Sequence, residues 1–303
     1  VNTSPVIGID VGGTTVKGVV ADRDGLIIAE VRRPTPSPDP TGALVVDAVA
    51  EVVAALDADP TAPVGVVVPG IVDEMHGKAV YSANLGWSDV PLARMLSERL
   101  GRRVGFGHDV RAGALAEARW GAASGASGII AFVPIGTGIA AAFLIDGRPV
   151  VGGGWAGEIG QVRLSTGPHA GARVEEIASA TGIARRAGLA DARVVAERVA
   201  SGDPALRIVW DETIEVLADV LAGLTANLAP ETIVLGGGVA LAGDTLTSPL
   251  AAALDARLGP LRRPDLRTAM LGDRAAALGA ALIATGSSGS SSSASGPNAS
   301  DSR

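Results

Sequence analysis

No cysteine occurs anywhere in the chain, so disulfides and thiolate metal sites are excluded. Aromatic residues are scarce, at 3% of 303 positions, although hydrophobic residues reach 47%. A globular core is still expected, but it must rest on many small aliphatic contacts from Ala, Val, Leu and Gly. No apolar run reaches the roughly 18 residues of a membrane span. Near the first residues no basic stretch leads into an apolar one, so a secretion signal is not expected. The net charge of −7 is spread without blocks, and nucleic-acid binding needs a clustered basic face. The expectation is a cytoplasmic protein that engages neither nucleic acid nor membrane. Its length suits one large or two modest domains.

What is present is glycine at the ends of apolar runs. The run 6–10 stops at Gly12-Gly13-Thr14-Thr15, a second run covers 16–21, and a third covers 26–31. Strand, glycine turn, strand, turn, strand reads as an antiparallel meander. Leu44, Ala48, Val52, Ala55 and Leu56 then repeat at helical spacing. A buried strand at 64–68 ends at Pro69-Gly70. The pattern recurs later: 129–135 stops at Gly136-Thr137-Gly138, and 139–145 closes at Asp146-Gly147. A repeated unit of this kind suggests duplicated domains facing each other. A helix over 211–229, a strand over 232–235 running into Gly236-Gly237-Gly238, and a last Ala-rich helix over 274–284 follow. The segment 286–303 is almost entirely Ser, Gly, Ala, Asn, Asp and Pro. It cannot bury enough apolar surface to fold and is read as a disordered tail.

Three glycine clusters are candidates for phosphate. Glycines at a hairpin turn let backbone amides approach an anion with no Cβ in the way. Thr14 and Thr15 add hydroxyls, Lys17 offers a point charge, and Asp10 could hold Mg²⁺ directly or through water. The ordinary alternative is a plain hairpin turn. Two such turns at matched places point toward a two-jawed phosphate clamp. Gly236-Gly237-Gly238 is no dinucleotide fingerprint, because the third required glycine would fall at Leu241. No Gly-x-x-x-x-Gly-Lys-Ser/Thr stretch exists, which excludes a P-loop enzyme.

Asp109, after His108 and before an Ala-rich helix, has two readings. Asp is a favoured helix cap. It is also the residue type needed to align an alcohol with a phosphorus atom and take its proton. Glu158, Gln161 and Glu175 lie in loop stretches suited to a polyhydroxylated ligand, with solvated loop charge as the bland alternative. Asn84 is a turn residue or a ligand contact. His169 and His76 read as surface loop residues.

These residues match a known family. The chain resembles the ROK sugar kinases (repressor, open reading frame, kinase) over nearly all of residues 5–285. Ile7-Gly8-Ile9-Asp10-Val11-Gly12-Gly13-Thr14 is similar to the first phosphate motif. Pro69-Gly70-Ile71-Val72-Asp73 and Asn84-Leu85-Gly86-Trp87 resemble the sugar-domain signature. Asp109 with Glu117-Ala118-Arg119-Trp120-Gly121 resembles the catalytic segment. Gly136-Thr137-Gly138 resembles the second phosphate motif and Gly236-Gly237-Gly238 the adenosine motif.

The resemblance implies an α/β, actin-like (ribonuclease H-like) ATPase fold, with two α/β domains around a central cleft. They would span 1–108, with a helix at about 273–285 packing back, and 109–272. It implies ATP and Mg²⁺ as cofactors and a homodimer. Asp109 would be the base for the 6-hydroxyl of a hexose. Asn84, His108, Glu158, Gln161 and Glu175 would form the sugar shell. Asp10 would orient Mg²⁺ through water. Gly12, Gly13, Thr14, Thr15, Lys17, Gly136, Thr137 and Gly138 would hold phosphates, and Gly236, Gly237 and Gly238 the adenosine.

Two departures stand out. The family usually has His where this chain has Gln161, followed by three cysteines of a zinc site. All four are missing together, so no zinc is expected. Glucose-specific relatives usually carry Asn where this chain has His108. Both changes fall in the sugar shell, while the phosphate motifs are intact. The pattern resembles the kanosamine (3-amino-3-deoxyglucose) 6-kinases of ansamycin (rifamycin) antibiotic biosynthesis, with glucose, driven by ATP or polyphosphate, as the alternative acceptor. Family repressors carry a helix-turn-helix before the first motif, which begins here at residue 7, so repression is not expected. A non-catalytic sugar-binding regulator is the rival of another class.

Overall fold

The computed structural model describes residues 5–286. Of the tail expected over 286–303, Gly286 alone is described; the rest lies outside the described residues.

The meander forms as the glycine turns require. Strands β1 (Val6–Val11), β2 (Thr15–Ala21) and β3 (Ile27–Pro34) run antiparallel. Helix α1 (Ala43–Ala55) leads to β4 (Val64–Val68), which lies parallel to β1. A small side sheet follows, of β5 (Ile71–Asp73), β6 (Lys78–Ser82) and β7 (Trp87–Val90). Helix α2 (Leu92–Leu100) returns the chain to β8 (Val104–His108), parallel to β4. Helix α3 (Asp109–Trp120) then passes to a second sheet.

That sheet begins with β9 (Ile130–Pro134), β10 (Ala142–Ile145) and the short β11 (Arg148–Pro149). Single 3-10 turns follow at Gly152–Gly154 and Ile159–Gln161. The helices α4 (Val174–Ala178), α5 (Ala180–Ala187), α6 (Ala192–Ala200) and α7 (Pro204–Leu228) come next. Strand β12 (Thr232–Gly236), helices α8 (Gly237–Ala240) and α9 (Asp244–Leu258), and β13 (Asp265–Thr268) complete the layer. A 3-10 turn at Gly272–Arg274 opens into α10 (Ala275–Gly286).

The strand orders are β3-β2-β1-β4-β8 and β11-β10-β9-β12-β13. In each, two antiparallel pairs are followed by two parallel ones. The repeat visible in the sequence is thus a repeat of topology. Each sheet has its own core. Ile7, Ile9, Val49, Val66 and Trp87 belong to the first, and Ile135, Ile183, Trp210, Leu217 and Ile233 to the second.

The shortage of aromatics is matched by backbone-close packing. Gly8, Gly65 and Gly105 are register partners on three adjacent strands. A Cβ on Gly8 would sit 1.9 Å from the Ala277 carbonyl oxygen, and one on Gly65 1.9 Å from that of Ala280. The glycine stripe is therefore a groove into which the Ala face of α10 sinks. Helix α3 crosses α10 as closely, since a Cβ on Gly279 would meet the Ala112 oxygen at 1.9 Å. This fixes the start of α3, where Asp109 stands.

Two boundaries differ from expectation. Strand β10 starts at Ala142, not at 139, because Ala141 donates its N–H to Gly157 of the following loop at 2.8 Å. Helix α7 starts at Pro204, not at 211: Asp203 caps the amides of Ala205 and Leu206, and Pro204 fits the first turn, where no N–H is needed.

Candidate active site

Asp109 lies where the parallel strand β8 gives way to α3, the strand end at which α/β sheets bind ligands. The capping reading is only partly met. His108 occupies the capping position without a side-chain bond, while Asp109 opens the helix and accepts the Val110 N–H at 2.8 Å. A quarter of the Asp109 side chain (25%) remains exposed, enough to meet a hydroxyl. Burial pushes its pKa up to about 6; the Val110 N–H and then the Arg111 guanidinium oppose that rise.

His108 is buried, with Nε2 3.2 Å from Asp109 Oδ1. Burial, then Arg111, lowers its pKa to about 3, with Glu74 opposing, so the ring is neutral. With Nε2 protonated it donates to Asp109, leaving Nδ1 buried and without a protein partner among the described residues.

Arg111 and Glu74 were not picked out from the sequence. Arg111 Nε donates to Glu74 Oε1 at 2.8 Å and Nη2 to the Val72 carbonyl at 3.2 Å. The same Glu74 oxygen accepts the His108 N–H at 3.1 Å. This pair, buried on the Arg111 side and partly exposed at Glu74, fastens the β8–α3 junction to the side sheet and sets a positive charge behind Asp109. The partners are 37 positions apart, so no local pattern announces them.

Asp10, near the end of β1, is pushed up to about 7 by burial, then by the charge of Asp109; Lys17 opposes this and Asp273 adds to it. The first turn is held by Gly12 N–H on the Thr15 carbonyl at 2.9 Å and by the Thr35 hydroxyl on the Gly12 carbonyl at 2.7 Å. Thr14 is exposed, and Asn84 borders Gly13. Lys17, read as a point charge for phosphate, is instead buried and ion-paired with Asp273 at 3.0 Å. Its register partner is Asp10, so it serves as a counter-charge beneath that carboxylate.

The second and third glycine clusters touch. Gly136 N–H bonds the Gly138 carbonyl at 3.0 Å, and Ile135 N–H bonds the Gly236 carbonyl at 2.9 Å. Gly237 has φ 77°, and a Cβ there would lie 2.4 Å from the Ile135 oxygen, so only glycine lets this turn close on its neighbour. A cavity of about 250 Å³ opens beside Gly238, with Glu197, Leu241 and Thr245 on its wall.

Glu158 follows Gly157, whose Cβ would be 1.8 Å from the Ala141 oxygen. Burial raises its pKa, then the charges of Asp109 and Glu175, while Arg111 lowers it. Glu175, in the first turn of α4, places Oε2 3.1 Å from the Cβ position of Gly138. A chain of neighbours thus runs from Asp10 through Asp109, Glu158 and Glu175 to the second turn. Exposed Gln161 bonds Arg173 at 2.9 Å. His169 is more than a surface loop residue, with Nε2 3.0 Å from Glu212 Oε2 on α7. A cavity of about 1110 Å³ lies beneath the 162–169 loop against α7 and holds none of these candidate carboxylates.

Among the described residues no three His, Asp or Glu side chains are grouped to hold a metal ion, and no helix is long and apolar enough to cross a membrane. Asp10 would fit Mg²⁺ that arrives with a nucleotide, as one hard oxygen donor beside the first glycine turn.

Comparison with known proteins bears on the fold and the family. The ROK family model matches residues 6–287. A glucokinase of Halalkalibacterium halodurans is 31% identical over 312 aligned positions, covering 90% of this chain and 92% of that protein. The crystal structure of a ROK family glucokinase from Streptomyces griseus, in complex with glucose and AMPPNP, superposes with a TM-score of 0.81 at 25% identity. It covers 93% of this chain and 99% of that one. The inorganic polyphosphate/ATP-glucomannokinase of Arthrobacter sp. strain KM is 33% identical, with a TM-score of 0.70, over 94% of this chain and 99% of that one. The two sheets and the helices around them are the actin-like architecture of these kinases. A match running from β1 to the end of α10, with relatives aligned nearly end to end, leads to one assignment: the chain belongs to the ROK family.

Proposed function

We propose that this protein transfers the γ-phosphoryl group of ATP to the 6-hydroxyl of a hexose or amino-hexose, with kanosamine the favoured acceptor. The observation that carries the reading is Asp109: a partly exposed carboxylate, poised near pH 6, set between the first glycine turn and Glu158.

The chemistry follows from that placement. At neutral pH Asp109 is largely ionised and accepts a hydrogen bond from the sugar hydroxyl. The O6–P bond forms as the bond from the γ-phosphorus to the bridging oxygen breaks, the hydroxyl proton passes to Asp109, and ADP leaves. Alignment matters more than basicity in such a loose transition state. Arg111 keeps the carboxylate from becoming a neutral acid, and His108 orients it. Backbone amides of the turns at 12–15 and 136–138 hold the phosphates, and Gly236, Gly237 and Gly238 back the adenosine. Mg²⁺, when bound, neutralises phosphate charge; Asp10 is the residue that would hold it. The reading divides the chain into 1–108 with α10, and 109–272, whose closure over the sugar excludes water.

Kanosamine is favoured for two reasons. His108 and Gln161 alter the sugar shell while the phosphate turns stay intact. Glu158 and Glu175 can also accept a charge-assisted bond from an ammonium, which a hydroxyl cannot match. The reading includes a homodimer, testable by light scattering, and a cytoplasmic location, where ATP is at hand.

A coupled ADP-release assay with kanosamine, glucose, glucosamine and N-acetylmannosamine tests the proposal. Kanosamine should exceed glucose in kcat/KM by about tenfold or more. A preference for glucose would return the chain to the glucokinases. No turnover with any sugar would leave a sugar-binding regulator. Competition between ATP and polyphosphate decides the donor, a question raised by the relative that uses both.

A further inference from the structure

Two residues of the expected sugar shell, Gln161 and Glu175, sit on either side of a loop that no cysteine or clustered metal ligand fastens. We propose that Arg173 is the positioning residue that closes this loop and sets the polarity of the sugar shell; the inference rests on the sugar-kinase reading above.

Arg173 makes four bonds with three neighbours, two of which, Gln161 and Glu175, belong to the expected shell. Nη1 lies 2.9 Å from Gln161 Oε1 and 3.2 Å from Glu175 Oε1. Nη2 lies 3.3 Å from Glu176 Oε1, and the Arg173 backbone N–H donates to Glu176 Oε2 at 2.7 Å. One guanidinium therefore joins the 3-10 turn before the loop to the first turn of α4 after it. The backbone closes at the same place, with Val174 N–H on the Val162 carbonyl at 2.9 Å and Leu164 N–H on that of Ala172 at 2.9 Å. The far end of the loop is pinned separately by His169 on Glu212, whose carboxylate is also held by Arg186.

The consequence is chemical. Arg173 has only donors, so it must meet the Gln161 oxygen, and the amide NH₂ is turned free. Gln161 then offers a donor to a sugar oxygen. Arg173 also takes up one oxygen of Glu175, so Glu158 is left as the shell carboxylate with no ion-pair partner among the described residues, suited to a hydroxyl or ammonium donor. A lysine could not do the same work, because the planar fork is what spans Gln161, Glu175 and Glu176 together.

The test uses the full chain with Arg173→Met, Arg173→Lys and Gln161→Leu, alone and combined. Sugar Kd is measured by calorimetry with kanosamine and glucose, alongside steady-state KM for sugar and for ATP, and kcat. Arg173→Met should raise sugar Kd and KM about five- to tenfold, leave ATP KM within about twofold, and have a smaller effect in the Gln161→Leu background. Arg173→Lys should not rescue. Where Arg173→Met does not fold, the lysine variant carries the test and should show the same split. Unchanged sugar affinity, full rescue by lysine, or equal losses for sugar and ATP would overturn the proposal. A wild-type chain that binds neither sugar would instead remove the sugar-kinase reading and this inference with it.

Discussion

The turns between β1 and β2 and between β9 and β10 occupy the same place in two sheets of one topology, yet they differ in charge. Two residues ahead of its glycines, the first has Asp10, with Lys17 as register partner and Asp273 behind. At the matching place the second has Pro134, whose parallel neighbour is Gly236. The first turn can serve a cation; the second is almost pure backbone, packed against the third glycine cluster. The two sheets carry a glycine turn at the same place, and of the two only the first has a carboxylate at its base. In the proposed reading, that asymmetry would suit a nucleotide phosphate bound together with one metal ion.

The sharpest way to break this comparison lies outside both turns. Asp109→Asn should lower kcat by about a thousandfold with sugar Kd little changed, since a general base and aligning group is worth roughly 10² to 10⁴. The wild-type kcat/KM should fall as pH drops through about 6, because protonation removes the acceptor, and the variant should lose that limb. If Asp109→Asn stays active, the residue only begins a helix. Next in size is the asymmetry itself. Asp10→Asn should lower kcat/KM about a hundredfold and raise the Mg²⁺ requirement, while Pro134→Ala changes neither by more than about twofold. Asp10 sits at about 7 without ligand, so wild-type Mg²⁺ affinity should weaken as pH falls below that value, because the proton must leave first. Equal losses in the two variants would make the turns interchangeable.

Much of the fold was legible because its signals are local. Apolar runs bounded by Gly-Gly-Thr, Gly-Thr-Gly or Gly-Gly-Gly set β1, β2, β9 and β12 within a residue or two. The Asp203-Pro204 start of α7 was equally local but was passed over for the stronger periodicity beyond it. The side sheet β5–β7 and helices α5 and α6 were not assigned, their segments being short and weakly periodic. What joins distant positions could not be read at all. Arg111 and Glu74 meet only once α3 is laid beside β5. Lys17 looked available for phosphate until α10 brought Asp273 to it. Gly8, Gly65 and Gly105 are unremarked strand glycines until register aligns them under α10. Asp109 and the sugar-shell residues stood out as candidates by residue type and setting, but only the resemblance gave them roles, since a single Asp before an Ala-rich helix is also an ordinary helix start.

The central claim is that a sugar hydroxyl meets Asp109 while the terminal phosphate is cradled by both glycine turns. A crystal structure with kanosamine and a non-hydrolysable ATP analogue tests it directly. The account predicts O6 within about 3.2 Å of an Asp109 oxygen, on the side facing the γ-phosphorus, with amides of both turns on phosphate oxygens. A sugar seated away from Asp109, or phosphates held by one turn alone, would contradict it.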